Sequence, residues 1–198
     1  MTARPRIFQI GFNRCGTTSL HAFFVKNGIP SIHWDRGRIG IAFWRRMAAR
    51  EDPFLDYPNV VAFTDMMYIA ERMIVEPYKH LDYILQFYPD GLFILNVRDR
   101  EKWIASREHH VIPMQERYSA AFGIAPGDVV AYWREEWDRH LRYVQAMLGG
   151  SDRLLVFDIE KDDPNKLTDF LAPHFGPLDP PHYGWHHPRA EPQSYSIS

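Results

Sequence analysis

Apolar residues along this chain fall into short unbroken runs, separated by longer stretches with helical spacing. Ile7-Phe8-Gln9-Ile10 stops at Gly11 and predicts a buried strand. Leu20, Phe23 and Phe24 give residues 17–27 one apolar face, with Gly28 as the stop signal. A second strand is predicted over residues 31–34, a helix over 39–50 and a third strand over 60–64, ending near Asp65. A helical stretch then leads to the turn Tyr88-Pro89-Asp90-Gly91. Leu92-Phe93-Ile94-Leu95-Asn96-Val97 is the clearest strand, with Asp99 as the cap of the helix after it. Val129, Tyr132, Trp133, Trp137, Leu141, Val144 and Leu148 recur at helical intervals. Leu154 to Phe157 is a fifth strand and residues 165–175 a last helix.

Near-continuous apolar strands alternating with helices predict an α/β fold, a three-layer sandwich whose central, mainly parallel sheet is covered on both faces. No internal repeat or linker interrupts the pattern. The expectation is one domain over residues 1–198, with an irregular Pro- and His-rich tail from about Gly176.

Composition adds limits. The 198 residues are 45% hydrophobic and 24% charged, which suits a folded chain. A net charge of −2 gives no broad electrostatic case for nucleic acid, so any anion site must be local. The lone cysteine, Cys15, cannot form an intrachain disulfide and fits a reducing compartment. No apolar run is long enough to span a membrane, and no apolar signal region precedes the first strand, so the expected location is cytoplasmic. The pairs His109-His110 and His186-His187 lack metal-ligand spacing, and no structural metal is expected.

The candidate chemistry begins at Gly11-Phe12-Asn13-Arg14-Cys15-Gly16-Thr17-Thr18, between the first strand and the first helix. In that position glycines let successive N–H groups and the helix N-terminus converge on an anion, making a phosphate loop. The spacing is that of G-x-x-x-x-G-K-[ST], but Thr17 stands where the lysine would be, which disfavours ATP hydrolysis. Cys15 lies beside Arg14 and a helix N-terminus, a setting that lowers a thiol pKa and leaves nucleophilic catalysis open.

Asn13-Arg14-Cys15-Gly16-Thr17-Thr18-Ser19 resembles the loop P-K-S-G-T-T-W, by which cytosolic sulfotransferases hold the 5′-phosphosulfate of 3′-phosphoadenosine 5′-phosphosulfate (PAPS). The chain looks closest to the short bacterial-type sulfotransferase-like proteins. On that resemblance Arg14 takes the place of the catalytic lysine, Cys15 that of the small residue, and Thr17 and Thr18 match directly. Ser19 replaces the tryptophan, and Arg for Lys keeps the charge but alters the donor geometry. The family holds the 3′-phosphate of PAPS with an arginine at a strand end and a serine eight positions later. Arg98 and Ser106 stand in that relation. Arg107 reads as a solvated helix arginine beside them. The family's basic C-terminal motif has no clear counterpart, although His186-His187-Pro188-Arg189 is basic.

Cytosolic members use a histidine base at the end of the strand between the two motifs, and Asp65 occupies that place here. Burial among Phe63, Met66 and Met67 would raise its pKa toward that of a useful base. His33, near the end of the second strand, is the runner-up base, and His21 on the first helix is expected to be exposed. Residues 133–137, Trp-Arg-Glu-Glu-Trp, read as a helix with aromatics inward and charges outward.

The resemblance thus implies a sulfotransferase that takes PAPS as co-substrate, without metal, and leaves adenosine 3′,5′-bisphosphate. The partner is a small-molecule, glycan or lipid acceptor bearing a hydroxyl or amine. A nucleotide-binding protein without turnover and a phosphate-loop kinase are the alternatives.

Overall fold

The computed structural model describes residues 4–180. Five short strands, β1 (Ile7–Gln9), β2 (Ser31–His33), β3 (Ala62–Thr64), β6 (Leu92–Val97) and β7 (Leu154–Asp158), form one sheet in the order β2-β3-β1-β6-β7. Every pairing in it is parallel. β1 is central because it is apolar on both faces: Ile7 and Phe8 are fully buried. The chain runs from β1 to one side of the sheet through β2 and β3, then crosses to the other side at β6. The carboxyl end of β1 is therefore a topological switch point, where open parallel sheets form crevices for ligands.

Helices cover both faces. α1 (Thr17–Lys26) and α7 (Asn165–Phe175) pack Leu20, Phe23, Phe24, Leu167 and Leu171 against Ile7, Ile94 and Phe157. On the other face lie α2 (Arg38–Ala49), α3 (Leu81–Phe87), α4 (Arg100–Glu108), α5 (Met114–Phe122) and α6 (Val129–Leu148). Phe43, Ile84, Trp103, Tyr118 and Trp133 fill that core against Phe8, Phe63 and Phe93. The expected three-layer α/β sandwich is what the chain forms. Asp99 caps α4 as its position implied, accepting from Lys102 N–H at 2.9 Å.

Three expectations need correction. The helical stretch before Tyr88 is helical only from Leu81. Ahead of it β4 (Tyr68–Ile69) and β5 (Ile74–Val75) form an antiparallel hairpin. Its place is fixed by close packing on α2, where a Cβ on Gly40 would lie 2.7 Å from Tyr68 N. Glu136 of α6 points inward rather than outward and is 6% exposed, because Lys79 and Arg139 reach it as counter-charges. His21 is half-buried, stacked on His33 with ring centroids 5.5 Å apart and bonded through Nδ1 to Ser31 Oγ. The expected basic segment His186–Arg189 lies outside the described residues, as does most of the tail.

Candidate functional site

Backbone strain collects at the carboxyl edge of the sheet. Arg14 after β1 (φ 66°), Trp34, Asp35 and Arg36 after β2 (φ 57°, 46° and 54°), and Asp65 after β3 (φ 48°) all occupy the left-handed region. For residues with a Cβ, each such conformation costs on the order of 1–3 kcal/mol and persists only where the surroundings impose it. At Asp65 and on either side of Arg14, two buried amides and a buried guanidinium do so.

Gln9 and Asn96, each 1% exposed, form the first brace. Gln9 Nε2 donates to Asn96 Oδ1 at 2.7 Å and to Gly11 O, while its Oε1 accepts from Asp65 N–H at 2.9 Å. Asn96 Nδ2 donates in turn to Cys15 O. One pair of side chains thus ties the ends of β1, β3 and β6 to the loop. The loop can lie this close to β6 only because residue 11 is glycine, since a Cβ there would be 2.1 Å from Asn96 O.

Arg107 is the second brace. It is 1% exposed, so its expected position on a solvated helix face is wrong. Nε donates to Asn13 Oδ1 at 3.0 Å and Nη2 to Tyr118 Oη at 2.9 Å. The guanidinium carbon lies 4.6 Å from the ring centroid of Trp103, 4.9 Å from Tyr118 and 5.1 Å from Trp133. Its counter-charge is Glu76, which also accepts from the Tyr78 and Tyr118 hydroxyls. Burial alone would raise the Glu76 pKa, but Lys79 and Arg107 bring it down to about 2. Trp103 Nε1 adds a bond to Asn13 O at 3.0 Å. Asn13 is therefore gripped by α4 at both its backbone and its side chain.

Above these braces the loop presents a cationic mouth. No side chain caps the N-terminus of α1, and its first turn carries no acidic residue. Gly16 (φ 77°) turns the chain into that helix. Thr17 is buried on the first turn, Ser19 half-buried and Thr18 exposed. Arg14 Nε donates to Ser106 Oγ at 3.0 Å, and Arg98 Nη1 donates to Arg14 O at 3.2 Å. Two sequence motifs more than 80 residues apart thus meet at one place. Arg98 also holds a buried Nε with no partner, a donor aimed at nothing in the protein.

Cys15 is fully buried, and burial pushes its thiol up to about 12, outweighing Arg98, Arg107 and the Arg14 that the sequence pointed to; that is the opposite of the lowered pKa a nucleophilic thiol needs.

On the other side of the loop, His33 and Asp65 face each other, with His33 Nε2 4.0 Å from Asp65 Oδ2. The Thr64 hydroxyl donates to Ile32 O at 3.1 Å, so it accepts from His33 Nδ1 at 3.0 Å. That pattern places the ring proton on Nδ1 and leaves Nε2 an acceptor, 3.4 Å from Thr18 Oγ1. Burial, and then His21, depress the His33 pKa to about 4, so the ring is neutral at pH 7. Burial raises Asp65 to about 6, although Arg107 and Arg14 pull the other way. Asp65 Oδ1 is buried without a partner.

The family profile of the sulfotransferase domain matches residues 6–130, well over half of the chain and all of this edge except β7. The chain belongs to the sulfotransferase family. No protein of curated function matches it. Among the described residues of this sulfotransferase, no helix is long and apolar enough to cross a membrane, and no group of three or more His, Cys, Asp or Glu side chains is arranged to hold a metal ion.

Sequence reasoning missed Gln9, Asn96, Arg107 and Glu160 in this sulfotransferase. Gln9 and Asn96 did leave a signal, as single amides inside otherwise apolar strands. Glu160 follows β7 and accepts from Arg98 Nη2 at 3.0 Å, a pairing that becomes visible only once β7 lies beside β6.

Proposed function

We propose that this sulfotransferase moves a sulfuryl group from PAPS to an acceptor hydroxyl or amine. The observation that carries the reading is the meeting of Arg14, Arg98 and Ser106 at an uncapped helix N-terminus. The site has what a nucleotide with phosphates at both ends of its ribose requires. The loop N–H groups, Thr17, Thr18 and Arg14 suit the 5′-phosphosulfate. The Arg98 guanidinium and the Ser106 hydroxyl suit the 3′-phosphate. Cys15 and Ser19 complete the loop, Cys15 as a packed small residue that lets it close.

PAPS supplies the sulfuryl group, and the chain's residues do the rest. Arg14 and the loop N–H groups stabilise the charge that develops on the departing phosphate oxygen, in place before the reaction begins. Asp65 takes the acceptor proton. A carboxylate with a pKa of about 6 is ionised at neutral pH, yet is a stronger base than an ordinary aspartate. Neutral His33 is the alternative base through Nε2. If Asp65 acts, His33 is a neighbour that orders the acceptor hydroxyl.

The reading is tested by incubating the protein with sulfur-labelled PAPS and a panel of phenol, sugar, lipid and amine acceptors. A labelled product with wild-type protein, and none with Arg14→Ala, is expected. Tight binding of the nucleotide with no product from any acceptor would make the protein a binder without turnover.

A further inference from the structure

Arg98, the arginine expected to stand free for an anion, is already paired with Glu160. The turn after β7 fixes it: Glu160 N–H donates to Asp158 Oδ1 at 2.9 Å, and Asp158 N–H to Asp162 Oδ2 at 2.7 Å. From that turn its carboxylate reaches across to the β6–α4 junction. Oε1 accepts from Arg98 Nη2 at 3.0 Å and from Lys102 Nζ at 3.3 Å, and Oε2 accepts from Asp99 N–H at 3.3 Å. The Glu160 and Arg98 side chains are only 18% and 14% exposed, so water screens the pair little.

These three donors are a strand-end guanidinium, an ammonium and a backbone N–H beside a helix N-terminus, the set a phosphate would draw on. A carboxylate of the chain already occupies it. We propose that Glu160 is an internal competitor for Arg98 that sets how strongly the site discriminates a 3′-phosphorylated nucleotide from its 3′-dephospho form. This rests on the reading of Arg98 and Ser106 as the 3′-phosphate site.

The physical consequence follows from charge. A 3′-phosphate that engages the Arg98 guanidinium comes to lie near a fixed carboxylate, and the two anions share one cation. Arg98 is kept in place for the ligand, but part of its attraction is spent within the protein. The 3′-phosphorylated product therefore leaves more readily than it would from an arginine without a partner. Burial acts to raise the Glu160 pKa, but the Asp99 N–H, Arg98 and Lys102 outweigh it, and the group stays charged at neutral pH.

Glu160→Gln tests this, because glutamine keeps the shape and one of the two acceptor oxygens, for Asp99 N–H or for Arg98, while removing the charge. Dissociation constants for adenosine 3′,5′-bisphosphate and for AMP are measured by calorimetry on wild-type and variant proteins. Thermal melting of the free proteins shows that both are folded. The bisphosphate should bind about tenfold more tightly to Glu160→Gln, with AMP changed by less than about twofold. Glu160→Ala, which removes both oxygens, should shift selectivity in the same direction. Equal changes for both nucleotides, no change, or weaker bisphosphate binding would overturn the proposal, and Glu160 would then only brace the β6–α4 junction. Failure of both proteins to bind the bisphosphate at all would contradict the donor reading itself, a result distinct from those.

Discussion

Arg14 and Ser106 are joined by a hydrogen bond of 3.0 Å from Nε to Oγ, so the residues matched to the two ends of the donor nucleotide close on each other in the free protein. The bond is a contact between exposed groups and is worth little by itself. Its meaning is spatial, because a side chain from the loop after β1 and one from α4 share a single mouth.

If that mouth holds a 3′-phosphate, Ser106→Ala and Arg98→Ala should each weaken binding of adenosine 3′,5′-bisphosphate and spare AMP. Hydrogen bonds to charged groups are worth roughly 1.5–3 kcal/mol, so the loss for Arg98→Ala should be about 10- to 100-fold. The loss for Ser106→Ala should be smaller. Equal losses for both nucleotides would show that these residues hold the fold rather than the 3′-phosphate.

Arg107 should behave differently. Arg107→Lys keeps a positive charge but loses the fork that bonds Asn13 and Tyr118 together. The loop loses its brace, so bisphosphate and AMP should weaken together, by about tenfold each, and the melting temperature should fall. A selective loss of bisphosphate binding would place Arg107 in direct contact with the 3′-phosphate.

The contrast between these arginines shows what the sequence could and could not reveal. β1 and β6 were legible because a strand buried on both faces is a nearly continuous apolar run, and β7, an edge strand with Val156 exposed, because its residues are apolar on both faces all the same. The loop was legible because its glycines and threonines stand in fixed order between strand and helix. Arg98 and Ser106 stood out only by their resemblance to the arginine and serine of the family, and the fold brings both beside Arg14. Arg107 did not stand out, because its burial depends on Asn13, Glu76, Tyr118 and Trp133, which come from four separate segments. The β4–β5 hairpin was hidden for a related reason. Its strands are two residues each, its turn has no Gly or Pro, and packing on α2 decides its shape.

Asp65 carries a prediction about pH with two readouts. As the base it acts when ionised, so transfer should rise with pH through about 6 and level off above. Asp65→Asn should remove that limb and lower transfer by about 10² to 10⁴, with nucleotide affinity nearly unchanged. Stability runs the opposite way. A carboxyl whose folded pKa lies above its unfolded value of 3.8 contributes stability below that value, and loses it as pH rises through about 6. Asp65→Asn should therefore stabilise the protein by about 3 kcal/mol at pH 7.5 and by only about 0.5 kcal/mol at pH 4. Wild-type transfer in Asp65→Asn, together with its loss in His33→Gln, would move the base to His33.

A site for a 3′-phosphorylated adenosine nucleotide at the carboxyl edge of β1 and β6 should show itself in calorimetric titration in a metal-chelating buffer. Adenosine 3′,5′-bisphosphate is titrated beside AMP, with Mg·ATP run separately in magnesium buffer. Saturable binding of the bisphosphate is expected, one nucleotide per chain, at least about tenfold tighter than AMP. Equal affinity for bisphosphate and AMP, or tight binding by Mg·ATP alone, would contradict it.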